Sequence, residues 1–214
     1  GWWYEGAGIY RHSWLVKTSP VHIITDGVFA HPVKNSKGSW IIPVEATIEN
    51  SGKQQTDVEV ESVLLDKHNR QVVQGKTITS VNALDKSAAK FVLNITNPEL
   101  WSIENPTMYK VRTVVSTNGK PIDTVYTTCG FRTIKFTTDS GFYLNDKRVK
   151  IKGVCNHQDH AGVGTAVPDA LWEFRLKRLK EMGVNGYRCS HNPPAAEFLD
   201  ACDKMGILVM DENR

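Results

Sequence analysis

From about residue 21 to residue 131 apolar and polar side chains alternate with a period of two. Val44, Ala46 and Ile48 are interleaved with Glu45, Thr47 and Glu49, and Val58 and Val60 with Asp57, Glu59 and Glu61. Phe91, Leu93 and Ile95 alternate with Lys90 and Asn94, and Tyr109, Val111 and Val115 with Lys110, Arg112 and Ser116. Successive strand residues point to opposite faces, so this pattern predicts antiparallel strands with one face buried and one wet. Turn signals separate the runs: Asn50-Ser51-Gly52, His68-Asn69, and Asn118-Gly119, a pair suited to a tight hairpin. About seven such strands within roughly 110 residues predict an immunoglobulin-like β-sandwich, although the Cys…Trp…Cys signature of antibody domains is missing. Residues 97–109, NPELWSIENPTMY, break the pattern. Pro98 and Pro106 bar regular structure there, and a buried Trp101 is expected to pin the crossover.

The period changes after Arg132. A short hairpin over GFYLNDKRVKIKG is expected to turn at Asn145-Asp146, and Val149, Ile151 and Val154 then read as a short apolar strand. Residues 169–182, DALWEFRLKRLKEM, predict an amphipathic helix with Leu171, Phe174, Leu176, Leu179 and Met182 near one face. Asp169 is placed as its N-cap and Gly183 as its stop. A second strand is expected over 184–188, a second helix over 195–205 ended by Gly206, and a third strand over 207–210. The order βαβαβ implies parallel strands.

Composition adds exclusions. The 214 residues carry 26 Lys and Arg against 23 Asp and Glu, a formal net charge of +3, with no basic run. Nucleic acid is therefore not an expected partner. No apolar run approaches the ~20 residues of a membrane helix, so a membrane partner is not expected. Cys129, Cys155, Cys189 and Cys202 form no CxxC pair and read as free thiols. Residues 1–16, GWWYEGAGIYRHSWLV, read as a tight turn leading into a strand, the tail of a preceding domain, and both ends of the chain read as internal to a longer protein.

Each expected parallel strand delivers polar side chains at its C-terminal end. His157, Asp159 and His160 follow the first, Arg188, Ser190, His191 and Asn192 the second, and Asp211, Glu212 and Asn213 the third. Parallel strands would bring these clusters to one face, where barrel folds keep their chemistry, and a polar, sugar-binding pocket is the reading that fits. Two sharper alternatives stand beside it. Cys155, His157, His160, Cys189 and His191 are all metal donors, yet their spacing matches no closed zinc pattern. A cysteine nucleophile paired with histidine is the other, set against the usual role of cysteine beside strands as a small buried hydrophobe. Asp211 and Glu212 are adjacent strand residues, so at most one can face the pocket.

At these residues the sequence resembles glycoside hydrolase family 2, and within it the β-galactosidases. The matching motifs are GAGIYRHSWL at 6–15, LWSIENPTMY at 100–109, GFR at 130–132, FYLNDKRVKIKGVCNHQDH at 142–160, RCSHNPP at 188–194 and MDENR at the end. The resemblance implies a preceding jelly-roll sugar-binding domain, an immunoglobulin-like sandwich and a catalytic (β/α)8 barrel. It implies cleavage of terminal β-glycosides with retention by two glutamates from later barrel strands, neither of them in this chain. Glu212 matches the family's DE motif and takes no catalytic role. His157, Asp159 and His191 would hydrogen-bond hydroxyls of the non-reacting sugar, with Arg188 and Asn192 supporting the wall. Cys155 stands where the family usually has Asn, and Asn192 where it more often has Tyr, which leaves the choice of sugar open.

The expected fold is thus multidomain, β then α/β: an immunoglobulin-like sandwich followed by the incomplete start of a (β/α)8 TIM barrel. The expected domains are 1–16, the jelly-roll tail; 17–133, the sandwich; and 134–214, the opening of the barrel. The expected function is a fragment of a retaining β-galactosidase, with a terminal β-galactoside as partner and no turnover of its own. A fragment of a β-glucuronidase or another family 2 glycosidase, and a non-catalytic carbohydrate-binding or interaction module, are the alternatives. No cofactor or metal is assigned to the fragment, with room for a divalent or monovalent cation in the whole enzyme. Three strands of a barrel that needs about eight leave an open edge, so self-association into a homo-oligomer, or disorder after Arg148, is expected.

Overall fold

The computed structural model describes residues 8–213 and separates into two units. One comprises Val16–Leu100 and Thr107–Thr133; the other comprises Trp101–Pro106, the segment from Ile134 onward and the described residues up to Leu15. The crossover residues 101–106, which the sequence reading keeps within the sandwich, thus group with the barrel strands.

The first unit is a two-sheet sandwich. Its strands are β1 (Val21–Ala30), β2 (Val33–Lys34), β3 (Trp40–Asn50), β4 (Thr56–Leu65), β5 (Gln71–Val81), β6 (Asp85–Ile95), β7 (Tyr109–Thr117) and β8 (Lys120–Cys129). One sheet pairs β3 with β1, β2 and β6, and the other runs β5-β4-β7-β8, with every pairing antiparallel. Seven full-length strands and the two-residue β2 match the expected number. Alternation decides the faces: Trp40, Ile42, Val44, Ala46, Ile48 and Asn50 of β3 are all buried, while the residues between them are partly exposed. Their burial against Val58, Val60, Leu64, Leu93, Val111 and Val115 forms the core, capped by Phe131 edge-on to Trp40 and Tyr109.

Several polar groups trapped in this unit are paired, whereas His22 Nδ1 and Arg112 Nε are buried without a hydrogen-bond partner. Asn50 donates to the carbonyls of Gln54 and Val81 and accepts from the Gly52 amide, so its side chain closes the turn after β3. A register shift in β1 between Ile23 and Val28 falls beside the Ile23 amide, which donates instead to Asp123 Oδ2 at 2.8 Å. The hairpin between β7 and β8 turns at Asn118 and Gly119, both with positive φ, as a two-residue turn of that sequence requires.

The second unit begins with the meander β9 (Ile134–Thr137), β10 (Gly141–Leu144) and β11 (Lys147–Arg148), turning at Asn145-Asp146. It continues as β12 (Gly153–Asn156), α1 (Asp169–Glu181), β13 (Gly186–Cys189), α2 (Ala196–Met205) and β14 (Leu208–Met210), with the three strands parallel and adjacent in order. This is the opening βαβαβ of a (β/α)8 barrel, as expected. Trp172 and Leu176 of α1 and Phe198, Ala201 and Cys202 of α2 pack with Tyr187, Cys189 and Ile207. No helix among the described residues is long and apolar enough to cross a membrane.

Several local expectations are corrected. The first parallel strand starts at Gly153, so Val149 and Ile151 precede it, and Cys155 and Asn156 lie within it. Gly153 and Gly186 sit side by side in register, and a Cβ on Gly186 would come within 2.8 Å of the Ile151 side chain. Ile151 therefore covers a glycine of the neighbouring strand instead of extending its own. In α1 the buried face is Trp172 and Leu176, whereas Phe174 and Met182 are exposed. Pro168 occupies the N-cap and Asp169 is the first helical residue, its carboxylate used elsewhere. Described residues 8–16 form no strand, and the part of that expectation on residues 1–7 lies outside the described residues.

Trp101 is buried, as expected. Its Nε1 donates to the Asp203 carbonyl in α2 at 2.8 Å, and its own carbonyl accepts from Asn145 Nδ2 at 2.9 Å. Gly206 ends α2 with φ of 71°, and any Cβ there would lie 2.3 Å from the Ile103 carbonyl oxygen. Glycine is required there for both backbone shape and space.

Candidate functional site

The parallel register sets the site. Cys155 lies beside Arg188, and Arg188 beside Met210, so the loops after β12, β13 and β14 leave from one end of the sheet. Arg188 Nη2 donates to Glu212 Oε1 at 2.7 Å, and His191 Nδ1 lies 3.0 Å from the same oxygen. Arg188 Nη1 reaches Ser190 Oγ at 3.4 Å and Cys155 Sγ at 3.9 Å. The His157 ring stands edge-on to His191 with centroids 5.6 Å apart. The Ser190–His191 peptide bond is cis.

The hydrogen bond with His191, followed by the charge of Arg188, holds the Glu212 carboxyl below its ordinary pKa against the opposing pull of desolvation. Glu212 is therefore a fixed carboxylate that orients an arginine and a histidine. Asp211 Oδ1 accepts the Glu212 amide at 2.7 Å.

The residues expected from sequence fall into three groups. Arg188 and His191 form the triangle with Glu212, and His157 joins them through ring contact. Asn192 instead turns to Gln158, donating to its Oε1 at 3.0 Å. Asp159 is held through its backbone: Arg175 of α1 donates to the carbonyls of Asp159 at 2.5 Å and His157 at 3.2 Å, and to Tyr187 Oη at 3.3 Å. Its guanidinium also lies 5.0 Å over the Trp172 ring.

Arg175 and Gln158 shape the site without having been assigned to it. Arg175 reads in sequence as one more surface charge of a helix, and only the βαβ packing reveals that it grips the preceding loop. A third unassigned group is His12, whose Nε2 lies 3.0 Å from Asp169 Oδ1 and 3.8 Å from Glu197 Oε1, at the first turns of α1 and α2. The hydrogen bond to Asp169 raises its pKa, which favours an imidazolium shared by two carboxylates.

The structure does not bring the metal set together, and it buries Cys189, one of the two cysteines considered as a nucleophile. Among the described residues, the cluster of His, Cys, Asp and Glu with ligating atoms close enough to share an ion is His12, Asp169 and Glu197, not the Cys155, His157, His160, Cys189 and His191 set. All four cysteines are free thiols, and all but Cys155 are buried. Burial pushes the Cys189 thiol up to about 11 and Cys129 to about 12, so neither supplies a nucleophilic thiolate near neutral pH.

Two open clefts border the loops. One, a cleft of only about 10 Å³, is lined by Asn156, His157, Gln158 and Asn192 over the aromatic floor of Trp172, Tyr187 and Phe198. The other, about 190 Å³, is lined by Tyr10, Arg11 and His12 facing Gln158, Trp172 and Glu197. Directional polar groups above aromatic side chains suit a polyhydroxylated ligand.

The family model described as Glycosyl hydrolases family 2 matches residues 21–132, and that of the Glycosyl hydrolases family 2 TIM barrel domain matches residues 135–214. Beta-galactosidase BoGH2A of Bacteroides ovatus is 39% identical over 98% of this chain, which spans 25% of that protein. A putative beta-glucuronidase of Formosa agariphila is 36% identical over 98% of the chain and 20% of its own length. The crystal structure of a glycosyl hydrolase family 2 member from Bacteroides cellulosilyticus superposes with a TM-score of 0.92 at 36% identity, covering 99% of this chain and 29% of that one. The chain thus spans between a fifth and three tenths of the length of these relatives.

Proposed function

Because this chain belongs to glycosyl hydrolase family 2, we propose that it supplies the sandwich and one wall of the sugar pocket of a retaining β-glycosidase acting on terminal β-galactosides. The observation that carries this reading is the Arg188–Glu212–His191 triangle, with His157 against it, at the C-terminal ends of consecutive parallel strands. In this role His157, Asp159 and His191 hydrogen-bond hydroxyls of the non-reacting sugar, and Arg188 and Asn192 support them. Contacts on that ring matter because they can strengthen as the oxocarbenium-like transition state forms.

In this reading Glu212 is not the acid/base: a general acid at neutral pH needs a raised pKa, and the bonds from His191 and Arg188 favour the ionised form of Glu212. On the same reading the two catalytic glutamates come from later barrel strands, and the isolated chain is expected to show no turnover. No metal or cofactor is assigned to its residues.

The test is the kcat/KM of the full-length protein on nitrophenyl β-galactoside and nitrophenyl β-glucuronide. Preference for the galactoside supports the proposal. Preference for the glucuronide supports the second reading, favoured by the relatives named beta-glucuronidase. Hydrolysis of neither substrate overturns both readings and leaves a family 2 glycosidase of other sugar specificity or a non-catalytic carbohydrate-binding module.

A further inference from the structure

Gln158 lies between His157 and Asp159, and three donors converge on its side-chain oxygen. Oε1 accepts from Asn192 Nδ2 at 3.0 Å, from Tyr10 Oη at 3.3 Å and from Arg11 Nη2 at 3.4 Å. A guanidinium can only donate, so the amide atom that faces it must be the oxygen. The donors come from distant parts of the chain. Asn192 belongs to the loop after β13, while Tyr10 and Arg11 belong to the irregular segment before the sandwich. Arg11 Nη2 donates in addition to the Pro193 carbonyl, so the same segment holds the second loop directly. One carboxamide oxygen therefore joins the loop after β12, the loop after β13 and residues 10–11.

We infer that Gln158 is a positioning residue: by holding Asn192, Tyr10 and Arg11 on one oxygen, it sets the placement of His157 and Asp159 for a polyhydroxylated ligand. This role rests on the sugar-binding reading proposed above. Arg175 fixes the backbone of the same loop from below, through the carbonyls of His157 and Asp159. Gln158 fixes it from the side, and what it must provide is an acceptor. A carboxylate would serve the same three donors; an isosteric alkyl group would serve none of them.

The experiment compares Gln158→Leu with Gln158→Glu in the full-length protein. The leucine variant is expected to raise KM for the preferred glycoside about tenfold, with the loss in kcat/KM residing mainly in KM, because misplaced binding groups weaken the grip on substrate. The glutamate variant is expected to restore near wild-type KM, which a role in packing alone would not give. Hydrogen exchange supplies a readout independent of activity: amides of residues 157–160 and 190–192 should exchange about tenfold faster in the leucine variant and not in the glutamate variant. If the wild-type protein hydrolyses neither glycoside, the proposed function falls and the exchange measurement still decides this inference. Equal protection in wild type and the leucine variant overturns it, as does equal damage from both substitutions.

Discussion

Arg188 Nη2 and Glu212 Oε1 stand 2.7 Å apart and join the loop ends of β13 and β14. The same carboxylate oxygen takes His191, so one acidic group orients two of the side chains proposed to face the sugar. Arg188→Ala should leave the fold intact by circular dichroism and lower kcat/KM of the full-length protein by about tenfold to a hundredfold through misplacement of His191. The Glu212 carboxyl, now held below 4.5, should titrate higher in the variant. Lowering of its folded pKa contributes stability above the unfolded value, lost as pH falls through the folded one. Carbon-detected NMR titration of both proteins measures the change.

Ser62 and Thr113 are fully buried neighbours on β4 and β7, with their hydroxyl oxygens 2.8 Å apart. Ser62→Ala should cost ~1–3 kcal/mol, because it strands the Thr113 hydroxyl without a partner. The double variant Ser62→Ala, Thr113→Val should recover most of that loss. Urea unfolding of wild type, both single variants and the double variant closes the cycle; additive losses would refute coupling.

The Trp101 indole places Nε1 on the Asp203 carbonyl. Trp101→Phe keeps much of the apolar volume and should cost ~1 kcal/mol, the net worth of a hydrogen bond. Trp101→Ala should cost ~3–5 kcal/mol through the cavity it leaves. Denaturant midpoints followed by a reporter in α2 separate the two effects.

His12 is held above its ordinary pKa of 6.5 by Asp169 first and Glu197 last. A raised pKa stabilises the folded state fully below the unfolded value, and that contribution is lost as pH rises through the folded one. The difference in thermal midpoint between wild type and His12→Gln should therefore shrink as pH is raised above 6.5. Asp169→Asn should move the imidazole titration, read by NMR, back toward the ordinary value.

The sandwich was legible because each strand has one wet face. In β3 the buried residues fall on every second position from Trp40 to Asn50, so a period of two is printed directly in the chain. The barrel strands carry no such code. Val149 and Ile151 look more strand-like than Gly153, yet Gly153 opens β12 while Ile151 packs over Gly186, where a Cβ would come within 2.8 Å of its side chain. Helix α1 offered several apolar residues, and period alone could not tell that Trp172 packs while Phe174 lies at the surface beside Arg178.

At the candidate site the polar clusters were visible as residues but not as partners. That Glu212 belongs with Arg188 and His191 follows from the parallel register. Asn192 appeared to belong with Arg188 by proximity in sequence, yet it bonds Gln158 across the neighbouring loop. Arg175 gave no signal, since its targets are main-chain carbonyls, and these carry no mark in an amino-acid sequence.

The bond from Trp101 to Asp203 spans 102 positions. Ribosomes add about 5–20 residues per second, so Trp101 emerges roughly 5–20 s before the carbonyl that receives it. During that interval the strands on either side of the crossover are already available to pair. The indole has to wait in water for α2. A chaperone that recognises exposed aromatic side chains would find one target on the nascent chain at this residue, and slowing translation after β8 would lengthen the wait.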